Sequence, residues 1–162
     1  MNHKSHVKAW LFFVIFEKQT TMKSTLLILF CFLCLPTFAQ SAIGKWKTID
    51  DNTGEPRSVV EVFERSGKVY GKIIKLFRKP GEDTDPLCDE CESDDPRYLK
   101  KIIGMEIMDG LTKENEEYGG GFILDPDNGK VYRCKIWVED KQLKVRGYLG
   151  PFFRTQSWLK SE

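Results

Sequence analysis

Apolar and polar residues alternate with a period of two in eight short runs of the chain, and turn-forming residues separate these runs. Such alternation is typical of β-strands that bury one face. The pattern predicts strands at 45–50, 58–65, 68–77, 103–111, 119–125, 130–139, 142–149 and 154–160. Because no stretch of about 12 residues keeps a helical stripe, we expect an all-β fold.

Short turns make most of the connections between the predicted strands. The pair Ser66-Gly67 offers a glycine for a positive φ, and residues 125–129 (DPDNG) place a proline at a turn corner. Consecutive hairpins imply a meander of antiparallel strands. Eight such strands leave two exposed edges unless the sheet closes, so the predicted fold is an eight-stranded antiparallel up-and-down barrel. A barrel of this size is filled by side chains or holds one small ligand.

The start of the chain has the features of a leader. Lys23 follows Met22 and precedes an apolar run, and a small-residue box ends at Ala39. This order of features is that of a secretory signal peptide. The predicted domain organisation is an upstream extension, from a start codon assigned too early, at 1–21, a signal peptide at 22–39, and a single β-barrel domain at 40–162.

Export is the expectation that follows from this leader. Its apolar run has about ten residues, which is short of the roughly 20 that a membrane-spanning helix needs. We therefore expect no membrane span after cleavage, and a periplasmic or extracellular protein. A genuine N-terminal anchor is the alternative interpretation of residues 1–21.

Charge and histidine content narrow the chemistry of the predicted domain. Residues 40–162 carry 21 Lys and Arg against 23 Asp and Glu, a net charge near −2. This balance gives no electrostatic reason to expect nucleic acid or an anionic membrane as partner. The only histidines, His3 and His6, precede the domain. Without histidine no Ser-His-Asp or Cys-His pair exists, so we expect neither an enzyme nor a cofactor, although carboxylate pairs stay open as acid and base.

Two cysteines, Cys88 and Cys91, lie in a loop with eight acidic residues between positions 82 and 96. Nearby negative charge raises a thiol pKa, which disfavours redox catalysis. A zinc site would have to use these two cysteines, Cys134 and a carboxylate, and calcium bound by the loop aspartates is a further alternative. We favour a Cys88–Cys91 disulfide that pins the loop locally, and we predict no metal.

The third cysteine of the domain, Cys134, shares a strand face with Tyr132, Ile136 and Val138. A thiol on an apolar face is most simply a small buried hydrophobic group. The other cysteine pairings stay open at this point.

Four segments of the chain carry a resemblance to a known family. They read "GKWKTID", "DPLCDEC" followed by "IIGMEIM", "GGGFILDPDNGKVYRCKIWV" and "LKVRGYLGPFFRTQSWLK". Together they resemble the DUF2147 family of exported bacterial proteins, which is similar to lipocalins in having a small β-barrel. The resemblance implies a lipocalin-like fold and export, and it lends no catalytic residues. The acidic segment "ESDDPRYLKK" departs from the family pattern, which weakens any shared role for that loop.

The lipocalin likeness suggests a role for Trp46. The segment Gly44-Lys45-Trp46 resembles the G-x-W of lipocalins, in which the tryptophan closes one barrel end beneath an arginine of the last strand. We therefore expect Arg154 to lie over the Trp46 ring, a contact of roughly 0.5 to 2 kcal/mol. The alternative is that Trp46 is ordinary core and Arg154 an ordinary charge at the rim.

One face of the last predicted strand carries Arg154, Gln156 and Trp158. Two polar groups beside an indole suit a pocket with a few orienting contacts, so we predict a cell-envelope protein that binds a small apolar or amphipathic ligand. The candidate ligand-binding residues are Trp46, Tyr132, Arg154, Gln156 and Trp158. The alternative is a solid core filled by Trp158, in a structural or protein-interaction module that uses an outer patch of Phe152, Phe153 and Trp137. No oligomeric state is predicted.

Overall fold

The computed structural model describes residues 41–162, and the predictions for the upstream extension and the signal peptide lie outside these residues. The described residues form a closed barrel in which each strand pairs with the next in sequence. The eight strands are β1 Gly44–Ile49, β2 Pro56–Arg65, β3 Lys68–Leu76, β4 Glu106–Glu114, β5 Glu117–Asp125, β6 Lys130–Glu139, β7 Gln142–Leu149 and β8 Phe152–Lys160. The predicted eight-stranded antiparallel up-and-down barrel is thus confirmed.

Closure joins the first strand to the last. Trp46 of β1 lies opposite Lys160 of β8, and Lys47 lies opposite Leu159. Just past the end of β8, the Ser161 amide donates to the Lys45 carbonyl at 2.9 Å. Neither β1 nor β8 is therefore an open edge that could pair with another chain.

The fourth strand begins and ends three residues later than the sequence pattern predicts. Gly104 has a φ of 91° and therefore interrupts the apolar run at 103–105 before a strand can begin. The strand then continues to Glu114, and Asn115 makes the turn with a φ of 59°. This turn was missed because it contains neither glycine nor proline.

Alternating strand direction gives the barrel two different ends. The β1–β2, β3–β4, β5–β6 and β7–β8 connections share one end, which we call the mouth, and the three remaining turns lie at the other, which we call the closed end. Trp46 belongs to the closed half of β1 and is 2% exposed. Its indole N–H donates to the Ala42 carbonyl at 2.7 Å, so the buried nitrogen has a hydrogen-bond partner.

The cation over Trp46 is Lys160, and the prediction that Arg154 would occupy this place is wrong. The Lys160 Nζ atom lies 4.3 Å from the centre of the Trp46 ring. Because Lys160 is the direct partner of Trp46, Arg154 lies six residues away along β8, near the mouth. There it forms an ion pair with Asp51.

The long β3–β4 connection is held to the barrel at the mouth. Cys88 and Cys91 form the predicted disulfide, and both are buried in the core cluster. The backbone around Cys88 is hydrogen-bonded to Leu99 and Lys100, which closes the loop on itself. The disulfide therefore does more than pin the loop locally, since its two cysteines pack into the hydrophobic core.

Gly129, in the β5–β6 turn, is the point at which this loop meets the barrel wall. It has a φ of 67°, and a Cβ atom at this position would collide with the Glu90 carbonyl and lie 3.0 Å from the Cys91 Cα. Only glycine allows both the backbone conformation and the close approach of the loop. Within residues 41–162 the structure contains no helix long and apolar enough to span a membrane.

We expect Gly129→Ala to lower the free energy of unfolding by roughly 2 to 5 kcal/mol, the sum of backbone strain and a clash with the loop. Gly54→Ala is the matched control, because Gly54 also lies at the mouth with a φ of 71° but has no atom near its missing Cβ. The control should lose only about 1 to 2 kcal/mol in urea unfolding. Equal losses in the two variants would contradict the close packing of the disulfide loop.

Candidate ligand-binding site

A cavity of about 550 Å³ occupies the mouth half of the barrel. All eight strands contribute residues to its wall, and so does the β3–β4 connection. Its volume lies within the range of roughly 300 to 1,000 Å³ that small-ligand sites occupy. The interior near Trp158 is therefore hollow, which argues against the alternative of a solid core.

The deep wall of the cavity is apolar. Its members are the aliphatic and aromatic side chains Ile73, Ile102, Ile107, Val145 and Trp158. Ser58 is the buried polar residue of this wall, and its hydroxyl is hydrogen-bonded to that of Thr48 at 2.8 Å. Because this polar pair is already satisfied, the deep wall offers mainly apolar contact.

Arg154 and Gln156 line the cavity near the Trp158 indole and form what we call the polar corner, together with Asp51, which contacts both but does not line the cavity. The Trp158 N–H donates to the Gln156 side-chain oxygen at 3.3 Å, and the Gln156 amide donates to the Asp51 carboxylate at 3.4 Å. Arg154 donates to the same carboxylate oxygen. The corner thus combines an ion pair with an amide, and a bound polar group could exchange hydrogen bonds with either.

Tyr132 of β6 is half-buried and lines the same cavity. Its ring packs close to Gly147 of β7, where an added Cβ would lie 3.3 Å from the tyrosine Cβ. Its hydroxyl accepts a hydrogen bond from the Asn128 amide at 3.3 Å. The glycine lets the ring lie against the barrel wall, and the hydroxyl is held at the β5–β6 turn.

Ion pairs connect the loops around the mouth. Arg57 forms one with Asp127 and another, at 3.7 Å, with Asp50. Lys79 pairs with Glu55 at 2.9 Å. These contacts join the β1–β2 loop to the β5–β6 turn and to the start of the β3–β4 connection, so the rim of the mouth is fixed on several sides.

Contacts at the rim favour the charged forms of Asp50 and Lys79. The backbone N–H groups of Thr53 and Asn52 donate to the Asp50 carboxylate and hold its pKa below the usual range, with a smaller contribution from Arg57. A side-chain hydrogen bond to Glu55 raises the pKa of Lys79. Both residues therefore remain ionised at neutral pH.

Four of the five residues predicted from the sequence line this cavity: Tyr132, Arg154, Gln156 and Trp158. Trp46 lies at the closed end of the barrel and does not line it. That the four contact a ligand stays a prediction. Sequence reasoning missed Asp51, because its contact with Arg154 joins residues 103 positions apart.

Cys134 lies in the core and takes no part in the cavity wall. It is a free thiol and is 3% exposed, and burial raises its pKa to about 12. Among residues 41–162, no three His, Cys, Asp or Glu side chains come together in an arrangement that could hold a metal ion.

Residues 44–160 match the family described as "Uncharacterized protein conserved in bacteria (DUF2147)". The chain belongs to the DUF2147 family. The matched range spans all eight strands, so membership covers the whole barrel, and the resemblance inferred from the four sequence segments is confirmed. No curated protein matches the chain.

A solved structure with a similar fold is protein HP1028 from the human pathogen Helicobacter pylori, whose description says that it belongs to the lipocalin family. The two proteins are 20% identical, and the match covers 75% of this chain and 84% of that one with a TM-score of 0.62. At this identity the likeness shows the fold alone. This DUF2147 barrel is thus lipocalin-like, as predicted.

The state of the cysteines leads to a prediction about thiol reactivity. A chromogenic thiol reagent should find no reactive cysteine in the native protein, because Cys134 is buried and its thiol remains protonated at neutral pH. After unfolding without a reductant, one thiol should react, and peptide mapping should assign it to Cys134. Reaction of all three cysteines would contradict the Cys88–Cys91 disulfide.

Proposed function

We propose that this protein is exported to the cell envelope and binds a small amphipathic ligand in the barrel cavity. The observation that carries the proposal is the cavity itself, open at the mouth, apolar at depth and polar at one corner. Small-ligand sites typically combine an apolar lining with a few placed polar groups. The lipocalin-like fold supports the proposal, since eight-stranded barrels of this kind can hold one small ligand.

The cavity suggests how such a ligand would lie. An apolar body would contact the isoleucines of the deep wall and the Trp158 ring, where burial contributes about 25 cal/mol per Å² of apolar surface. A polar end would lie beside Arg154 and Gln156, the two members of the polar corner that line the cavity. This orientation keeps the polar end near water and buries the apolar body.

Binding, without catalysis, is the activity that we propose. Residues 41–162 contain no histidine, and six of the nine charged side chains that line the cavity are engaged in ion pairs at its rim. Such pairs position the loops and hold the entrance in shape. Proton transfer to a ligand would first require breaking them.

A fluorescent fatty acid tests the cavity. Cis-parinaric acid should gain fluorescence when the protein binds it, and Ile123→Trp should weaken this binding by about tenfold or more, because the larger side chain fills the cavity. Phe122→Trp is the matched control, since Phe122 is the preceding residue of β5 and is 50% exposed. We expect the control to bind as the unchanged protein does.

Urea unfolding of both variants would show whether Ile123→Trp still folds. If the folded Ile123→Trp variant bound the probe normally, or if the unchanged protein bound none, the cavity would not be a site for this class of ligand. Arg154→Met should weaken binding of the free acid more than binding of its methyl ester, because the substitution removes a charged donor from the polar corner.

Export makes a separate prediction about the mature N-terminus. Full-length chain expressed in a bacterium should appear in the periplasm or the medium with Gln40 as its first residue by mass spectrometry. Ala39→Arg should block this processing, because signal cleavage needs a small residue at that position. An unprocessed protein that stayed in the cytoplasm would contradict the export proposal and leave the cavity proposal intact.

A further inference from the structure

Among the described residues, five large apolar side chains are exposed on β5 to β8 at one side of the mouth, and four others are exposed on the β3–β4 connection. The five on the strands form what we call the lip: Phe122, Val131, Leu149, Phe152 and Phe153. Phe152 is 76% exposed and Phe153 is 62% exposed. Large apolar groups exposed together on a protein surface mark a site of interaction.

The strand register places the lip at the edge between the outer face of the barrel and its mouth. Phe122 lies opposite Arg133, Arg133 opposite Tyr148, and Tyr148 opposite Phe153, so one row crosses the outer face of four neighbouring strands. Leu149 and Phe152 pair in the next row toward the mouth. Because successive residues of a strand point to opposite faces, this second pair lies on the cavity side of the rim, where both residues line the cavity.

Cations lie directly beside the lip on the outer face of the barrel. Arg133, Lys135, Lys144 and Arg146 belong to adjacent strands and are brought together by the β6–β7 register. Lys135 pairs with Glu117. Among the described residues, the other three cations form no ion pair with a carboxylate.

Arg146 is held in place by aromatic rings. Its guanidinium carbon lies 4.7 Å from the Phe153 ring centre and 4.9 Å from that of Trp137. Its Nε donates to the Thr155 hydroxyl at 2.7 Å. The cationic group and the lip are therefore parts of one structural unit.

Acidic residues are fewer than cations on this face. Eight of the 23 acidic residues of the domain fall between positions 82 and 96, in the β3–β4 connection, whereas Glu114 and Glu117 are the acidic neighbours of Lys135. The net charge near −2 is a sum over the whole domain, so it does not exclude a local excess of cations on this face. A surface of cations and aromatic rings is complementary to an anionic interface.

We propose that the lip and its adjacent cations dock the barrel mouth on an anionic lipid bilayer. Exposed phenylalanines can enter the boundary between headgroups and acyl chains, and nearby arginines gain about 1 kcal/mol each at an anionic membrane surface. Phe152 and Phe153 also line the cavity. Where the proposed ligand binding holds, docking lets an amphipathic ligand pass between bilayer and cavity without crossing open water.

Vesicle sedimentation tests the docking surface, with the protein in the form isolated from the expressing bacterium. We expect retention on vesicles of phosphatidylglycerol and phosphatidylcholine in equal parts, and much less on phosphatidylcholine alone. The double variant Phe152→Ser with Phe153→Ser should reduce retention by about tenfold or more. Leu159→Ser is the matched control, because Leu159 is 41% exposed on the same strand but lies at the closed end.

A second pair of variants tests the charges. Arg133→Gln with Arg146→Gln should reduce retention by roughly tenfold and remove much of its dependence on salt. Lys68→Gln with Lys113→Gln changes the net charge equally near the closed end and should bind as the unchanged protein does. Circular dichroism would confirm that each variant remains folded.

The outcomes separate this proposal from its alternatives. Absence of retention on anionic vesicles, or retention that the phenylalanine variant leaves unchanged, would overturn it. If the unchanged protein instead formed a dimer that the phenylalanine variant dissociated, and bound no vesicles, the lip would be a contact between two copies. Ile123→Trp should still bind vesicles while losing parinaric acid, so docking and ligand binding can fail independently.

Discussion

Closure of the sheet between β1 and β8 is the contact on which the rest of the structure depends. It pairs Trp46 with Lys160 and leaves no strand edge to be covered by another element. Once the sheet is closed, every inward-facing side chain belongs either to the core or to the cavity. The large residues at the closed end, with Trp46 among them, fill their half of the interior, and the mouth half remains open.

The mouth owes its shape to contacts between loops that are distant in sequence. The disulfide loop packs on the β5–β6 turn through Gly129, and the ion pairs of Arg57 join that turn to the β1–β2 loop. Each contact is modest, because exposed ion pairs contribute about 1 kcal/mol or less. Together these contacts fix the positions of the loops around the mouth, which the strands alone do not determine.

Much of this architecture could be predicted from period-two alternation, which identified eight strands and, through the need to cover edges, a closed barrel. The same parity placed Arg154, Gln156 and Trp158 on one face, and all three line the cavity. The disulfide followed from the acidic, histidine-free surroundings of Cys88 and Cys91. Each of these predictions depends on residues that lie close together in the sequence, so one sequence is enough to make it.

The incorrect predictions concern contacts that depend on register. The partner of Trp46 could not be read from the sequence, because the stagger between the first and last strands decides which β8 residue lies opposite it. The predicted start of β4 was too early because Gly104 adopts a positive φ within an apolar run. The local excess of cations on β6 and β7 was not predicted because net charge is a sum over the whole domain.

Alternation along β5 has a consequence for how this barrel can change over evolutionary time. Ile123 faces the cavity and its neighbour Phe122 belongs to the outer surface, so adjacent codons specify two separate properties of the protein. A substitution at one position alters the interior while the exterior keeps its composition, and the reverse holds equally. Related barrels can therefore change the residues that line the cavity and the residues of the outer surface independently of each other.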